Sequence, residues 1–242
     1  MSKIYADTVE ASDEQKNLTL GGTGDSITVG GTSINTNIIQ DSGGNVLFQS
    51  NGSGTVSNVN TALAGGGPVW ISTTTASGSS SVAITTGIDN TYSKHMIVAY
   101  DMHVGTFDVG VQLKASTDGA TWTEIMTATS FFARHEQTGS NPNYGIGGGG
   151  SYPSATNIGF TTNMDTDNYN GAAAVLLFYN LGSSTLKKNF MWQSGSLSSH
   201  DPAYFYKQRQ DGYFRTLTPI TGFQFSPYSG TFDGKFKLYG IL

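Results

Sequence analysis

Phe232-Asp233-Gly234-Lys235-Phe236-Lys237-Leu238-Tyr239-Gly240-Ile241-Leu242 closes the chain. Phe232, Gly234, Phe236, Leu238, Gly240 and Leu242 alternate with Asp233, Lys235, Lys237, Tyr239 and Ile241. This period of two is a β-strand with one apolar face, on which Phe236 and Leu238 read as core. The other face carries two lysines and Tyr239, either solvated or laid against a neighbouring subunit. A chain that stops on such a strand is expected to insert it into a sheet built by earlier segments.

The composition agrees with that reading. Of 242 residues only 12% are charged, about half the usual share for a globular domain, and 32 are glycine. Ser, Thr and Asn are abundant too, a poor composition for helices and a good one for turn-rich strands. No stretch longer than about ten residues keeps apolar positions at helical spacing. We therefore expect an all-β protein. The net charge of −5, with no basic cluster, removes the electrostatic footprint of a nucleic-acid binder. The absence of cysteine removes disulfides, zinc-finger spacing and thiol chemistry together. No signal-like or membrane-spanning apolar run occurs, so membrane insertion and Sec export are not expected.

The first 67 residues differ from the rest. Six acids face two lysines there, and no charge occurs between Asp41 and Asp89. Leu20, Val29, Ile38, Leu47 and Val56 fall nine apart, separated by Gly21-Gly22, Gly30-Gly31, Gly43-Gly44 and Gly52-Ser53-Gly54. Such a period predicts short strands joined by tight turns, as in β-helical or interwoven stalks. One strand of this kind buries too little to offset its ordering entropy. A Gly/Ser-rich linker is the competing account, and the regular spacing favours an oligomeric stalk, most simply a trimer.

Ala64-Gly65-Gly66-Gly67-Pro68 marks the boundary to the body. Beyond it, strands are expected at Pro68–Thr73, Ser80–Thr85, Lys94–Val104, Asp108–Thr117, Thr121–Ser130, Thr156–Thr162, Gly171–Tyr179, Lys187–Leu197, Ala203–Gln210, Tyr213–Leu217 and Ile220–Ser226. Asp118-Gly119 and Asp211-Gly212 read as turns between them. In 94–104, Met96, Val98, Tyr100, Met102 and Val104 form the expected buried face, opposite His95, Ile97, Ala99, Asp101 and His103. In 108–117 the buried face is Val109, Val111, Leu113 and Ala115. Ala172 to Tyr179 is apolar throughout, which predicts a strand covered on both faces. In a two-layer sandwich the second cover would come from a neighbouring subunit.

Candidate chemistry is sparse. Asp165-Thr166-Asp167-Asn168-Tyr169-Asn170-Gly171 resembles a calcium loop but lacks an oxygen ligand at Tyr169, a glycine one place earlier and a glutamate at Leu176, so a polar turn is preferred. Asp101, His103 and His95 lack a partnering nucleophile, and His135-Glu136 and His200-Asp201 match no metal or base motif. Gly147-Gly148-Gly149-Gly150 lacks the Lys-Ser/Thr of a phosphate loop and reads as a flexible loop. No catalytic, cofactor or metal site is expected. Aromatic residues in loop-like stretches are more suggestive. Tyr144, Tyr152, Tyr204, Tyr206 and Tyr213, with Phe205 and Phe214, stand beside Asn, Asp and Gln, as in surfaces that contact sugars or proteins. The competing account places half or more of these rings in the core, since Tyr204 and Tyr206 share a strand face.

Several segments then carry a resemblance. They are Met1 to Glu10, Asn17-Leu18-Thr19-Leu20-Gly21, Gly24-Asp25, Gln40 to Phe48, Asn51 to Thr55, Ile88-Asp89-Asn90-Thr91-Tyr92, Ser116-Thr117-Asp118-Gly119 and Gly234 to Ile241. In this order the chain resembles virion structural and tail-fibre-like proteins of marine bacteriophages, those infecting cyanobacteria and pelagic bacteria. The resemblance implies a non-enzymatic virion component assembled in the host cytoplasm, a homotrimer with a jelly-roll-like β-sandwich head. Residues 1–16 would dock to other virion proteins through Ile4, Tyr5 and Val9, residues 17–67 would form a Gly-rich stalk, and 68–242 the head. The head would touch a host glycan or protein. A capsid or neck decoration protein is the alternative, and a sugar-cleaving spike a second one.

Overall fold

The structure, a computed structural model, describes residues 38–40, 46–50, 56–59, 67–136, 139, 142–166, 170–198 and 204–242. All regular structure among them is β, and every strand pair is antiparallel. The chain divides into two compact units, Met1–Asn60 and Thr61–Leu242.

In the first unit β1 (Ile38–Gln40), β2 (Val46–Ser50) and β3 (Val56–Val59) form one small sheet in that order. Ile38, Leu47 and Val56, three of the nine-spaced positions, fall one on each strand, so one repeat length leads from each strand to the next. The strands double back on one another, Ile39 opposite Phe48 and Phe48 opposite Val59. A β-helical coil would stack them in parallel. Leu20, Val29 and the expected docking residues Ile4, Tyr5 and Val9 lie outside the described residues.

The second unit contains β4 (Val69–Ser79), β5 (Val82–Ile84), β6 (Lys94–Val104), β7 (Val111–Ser116), β8 (Met126–Glu136), β9 (Asn143–Ala155), β10 (Ile158–Gly159), β11 (Ala172–Tyr179), β12 (Asn189–Ser198), β13 (Tyr204–Phe214), β14 (Gly222–Pro227) and β15 (Phe232–Ile241). They make a sandwich-like pair of sheets. Eight strands run β4-β15-β6-β11-β12-β13-β8-β9 and four run β10-β7-β14-β5. The core lies between them. Phe178 of the large sheet stacks on Phe223 of the small one at 4.3 Å, and Phe236 on Phe225 at 4.4 Å. Each such pair adds about 0.5–1.5 kcal/mol beyond the area it buries.

The closing strand behaves as its alternation predicts. β15 pairs with β4 on one side and β6 on the other, with Phe232, Phe236 and Leu238 fully buried. The buried face of β6 is not the expected one. His95, Ile97 and Ala99 face the core in its first half, Met102 and Val104 in its second. Between them sits a β-bulge. Ala174 opposes Ala99 while Ala172 opposes Met102, and β15 shows the same slip between Asp233 and Lys235. Asp101, at φ +52°, supplies the left-handed residue that the extra position requires. One inserted residue moves every later side chain to the other face.

Two further expectations are corrected. Asp211-Gly212 is no turn, because β13 runs straight through it with Asp211 opposite Thr129 and Gly212 opposite Ala128. Glycine is needed there because a Cβ would collide with the Thr127 carbonyl and the Phe190 ring. Gly147 to Gly150 is not a loop but part of β9, lying where the β8–β9 ladder breaks between Thr129–Ser151 and Phe131–Ile146. Within this chain β11 is covered on one face, and the expected second cover by a neighbouring subunit is a matter of assembly. Ala172, Ala174, Leu176 and Phe178 are buried, whereas Val175 is 42% exposed.

Candidate functional site

Partners across a ladder point to the same side, so the register defines the open face of the large sheet. One row crosses it as Lys237, Val98, Val175, Gln193, Arg209 and Phe131. A second row runs Ala173, Gly195, Lys207, Ala133 and Tyr144. The small side chains of Ala173 and Gly195 leave a depression of about 430 Å³ between Tyr100 and Phe205, continued by one of about 600 Å³ towards Asp101 and His103. A Cβ on Gly195 would stand 3.1 Å from Phe205 Cζ, so the phenyl ring lies across the bare glycine.

This face is basic although the chain is acidic. Lys94, Lys207, Arg209, Lys235 and Lys237 share it. Lys235 Nζ meets Asp101 Oδ2 at 3.1 Å, and Arg209 Nε meets Asp211 Oδ2 at 3.1 Å. Both pairs are exposed, and each contributes only about 0–1 kcal/mol. The ammonium groups of Lys235 and Lys237 lie 5.7 and 5.5 Å from the Tyr100 ring centroid. Lys207 is in no ion pair among the described residues. The opposite phase of β6 places His95 in the core, against the edge of Tyr92, so it shares no site with Asp101 and His103.

A second recess lies on the inner side of the same sheet, where β8 and β13 carry polar residues. Arg134 stands opposite Tyr206 and Phe132 opposite Gln208. Thr162 and Asn163 complete a cleft of about 190 Å³ with these four. The segment that carries them is fixed to the sheet by hydrogen bonds. Ser196 Oγ donates to the Thr162 carbonyl at 2.7 Å, and Gln210 Nε2 donates to the Gly159 carbonyl at 2.7 Å. The Arg134 guanidinium lies 4.8 Å from the Tyr204 centroid and 6.0 Å from that of Tyr206. Its Nη1 donates to Tyr206 Oη at 3.3 Å, and this bond is the main cause that raises the Arg134 pKa. Tyr204 Oη donates to Glu136 Oε1 at 3.1 Å. Arg134 Nε and Gln208 Oε1 are buried with no protein partner.

The five tyrosines singled out from the sequence do not form one site. Tyr144, 77% exposed, stands on the open face. Tyr213 is half-buried on that face, with Lys187 Nζ 5.2 Å from its ring centroid. Tyr204 and Tyr206 flank Arg134 at the cleft. Tyr152 packs against the core, and its phenol hydrogen-bonds Tyr228 while burial pushes its pKa up. Phe214 is core. Asp165 is buried and takes hydrogen bonds from Thr166 Oγ1 and Asn170 Nδ2, both at 3.4 Å. Residues 167–169 of the calcium-like run lie outside the described residues.

Sequence reasoning missed Tyr100, Ala173, Gly195 and Lys207 of the groove, and Arg134, Asn163 and Gln208 of the cleft. Gly195 in mid-strand was a usable signal, since an interior glycine often marks a close approach. Arg134 and Gln208 gave none, because only the long-range register brings them together. Comparison with protein-family models, curated proteins and solved structures gives no match to this chain.

Proposed function

We propose that this chain is a phage virion fibre or spike protein that attaches the particle to the host surface through its C-terminal head. The observation that supports this best is the open face of the large sheet, where Tyr100, Phe205 and Tyr144 stand along a shallow groove beside Lys207, which is in no ion pair among the described residues. Aromatic rings over a floor of small side chains accept flat, partly apolar ligands, and lysines at the rim add charge. The groove brings together rings and amines, which suits binding rather than bond cleavage.

In this reading residues 1–16 dock to the virion, 17–67 form a Gly-rich stalk, and 68–242 form a head of jelly-roll type elaborated to eight and four strands. The chain is a homotrimer, and several weak contacts act together to give avidity. A second reading is a capsid or neck decoration protein. It is favoured by the apolar part of the same face, Val98, Val175, Leu177 and Met191, which a neighbouring subunit would cover. Binding of the full chain to host cells and to extracted envelope polysaccharide separates the two. Saturable binding, weakened at least tenfold by Phe205→Ala with Lys207→Ala, is the expected outcome. No binding by the wild-type chain would leave the decoration reading.

A further inference from the structure

Attachment leaves the chemistry of the host ligand open, and the open face of the large sheet narrows it. We infer that the groove binds an anionic linear polysaccharide laid across the strands, with sugar faces on Phe205 and Tyr144 and acidic groups at Lys207 and Lys237. This deepens the attachment reading and rests on it for the source of the polymer.

The shape comes first. The two depressions already described continue into a third of about 480 Å³ that ends at Pro142 and Tyr144. Phe205 borders all three, so they form one groove rather than separate pockets. It runs across the strands in the order β6-β11-β12-β13-β8-β9. From Tyr100 on β6 to Tyr144 on β9 this is about 24 Å at the usual strand spacing. A single sugar would fill a small part of that length, whereas an extended chain of sugars can touch all of it and add its weak contacts together.

Charge then selects among chains. Lys207 lines both the 430 Å³ and the 480 Å³ depressions, Arg134 and His135 border the second, and no carboxylate lines either. Asp101 borders the remaining depression but is held by Lys235 at 3.1 Å. Lys237 Nζ stands 5.5 Å from the Tyr100 centroid and, like Lys207, is in no ion pair among the described residues. Two free amines beside aromatic rings suit a ligand that offers both apolar sugar faces and negative groups.

Other extended ligands fit less well. Each strand from β6 to β8 along the groove is paired on both sides, so no free edge can accept a peptide as an added strand. A nucleic acid carries a charge on every nucleotide and calls for a dense line of cations. Lys237 on β15 and Lys207 on β13 are four strand intervals apart, about 19 Å, a spacing that matches a polymer charged only at intervals.

The test uses the full chain with oligogalacturonate and a sulfated galactan oligomer, each beside its uncharged counterpart, the methyl ester and the desulfated galactan. Oligothymidylate serves as the nucleic acid, and calorimetry at low and at physiological salt gives the affinities. At least one acidic oligosaccharide should bind at least tenfold more tightly than its uncharged counterpart, and should weaken as salt rises, because exposed charges are screened. Lys207→Gln removes one exposed amine and should abolish most of that preference. Lys207→Arg keeps the charge and should keep the preference, which separates loss of charge from loss of fold. Phe205→Ala should weaken the acidic and the uncharged oligomer alike. The inference is overturned if neither acidic oligosaccharide is preferred over its counterpart, if Lys207→Gln keeps the full preference, or if oligothymidylate binds as tightly as the better acidic oligosaccharide. Host cells bound equally by the wild type and Lys207→Gln would remove the inference and leave the attachment reading standing. Acidic oligosaccharide bound in a manner that depends on Lys207, with no binding to host cells, would do the reverse.

Discussion

Asp118 and His95 set two separate steps on the acid side of one pH profile. Asp118 Oδ1 accepts from the amides of Ala120 at 2.8 Å and Thr121 at 2.6 Å and from Ser116 Oγ at 2.7 Å, while Oδ2 accepts from Thr121 Oγ1 at 2.8 Å. The Thr121 amide first, then the Ser116 hydroxyl, hold this carboxyl well below the usual carboxylate range. A depressed acid lends stability above its unfolded pKa of about 3.9 and loses it as pH falls towards the folded value. His95 is fully buried, and burial lowers its pKa. The unfolded state therefore binds the proton more readily, and stability falls as pH drops below the unfolded value of about 6.5. Urea midpoints should decline in two steps, one beginning below about pH 6.5 and one below about pH 4. His95→Phe should remove the first step and leave the second, and a profile that keeps both would refute the assignment.

At the level of elements, the bulge in β6 was hidden for a definite reason. His95, Ile97 and Ala99 are about as apolar as Met96, Val98 and Tyr100, so either phase satisfies a hydrophobic alternation. Only the two neighbouring strands, from residues far off in sequence, decide between them. The Gly147–Gly150 run was hidden for a related reason, since four glycines carry no period at all. Asp211-Gly212 is a strong local turn signal overruled by pairing on both sides, Phe190 and Met191 on β12 and Ala128 and Thr129 on β8. By contrast β15 and β7 were legible, because their polar and apolar phases differ plainly; β7 pairs with β14 without a slip, and the extra residues at the slips beside β15 lie on β4 and β6, so β15 keeps its own alternation. The groove was legible only in its rings, because its floor depends on Ala173 and Gly195 lining up across β11 and β12. The bulge makes a quantitative claim. Asp101→Gly keeps the left-handed conformation and should change stability by under about 1 kcal/mol, its only loss being the exposed pair with Lys235. Asp101→Val forces a β-branched residue to φ +52° and should cost about 1–2 kcal/mol in urea unfolding. Equal effects would argue that the bulge relaxes elsewhere.

Across the whole second unit, stability converges on the layer where β15 meets β14. Phe236 is fully buried and stacks on Phe225, with Phe232 at 6.0 Å, so Phe236→Ala should destabilise by about 3–5 kcal/mol in equilibrium unfolding. A loss below about 1 kcal/mol would mean that the two sheets do not pack as described. The position of β15 also has a consequence in time. Gly78 donates its amide to Asp233 across 155 residues of chain, and β15 seats itself between β4 and β6, both synthesised long before it. A ribosome delivers β4 to β14 while the place beside them is still empty. Until β15 arrives, two long strands keep open edges, and the nascent chain must be shielded from pairing with its neighbours on the same message. Folding of the second unit is thus completed only once β15 has emerged, and its yield depends on how quickly that one strand finds its seat.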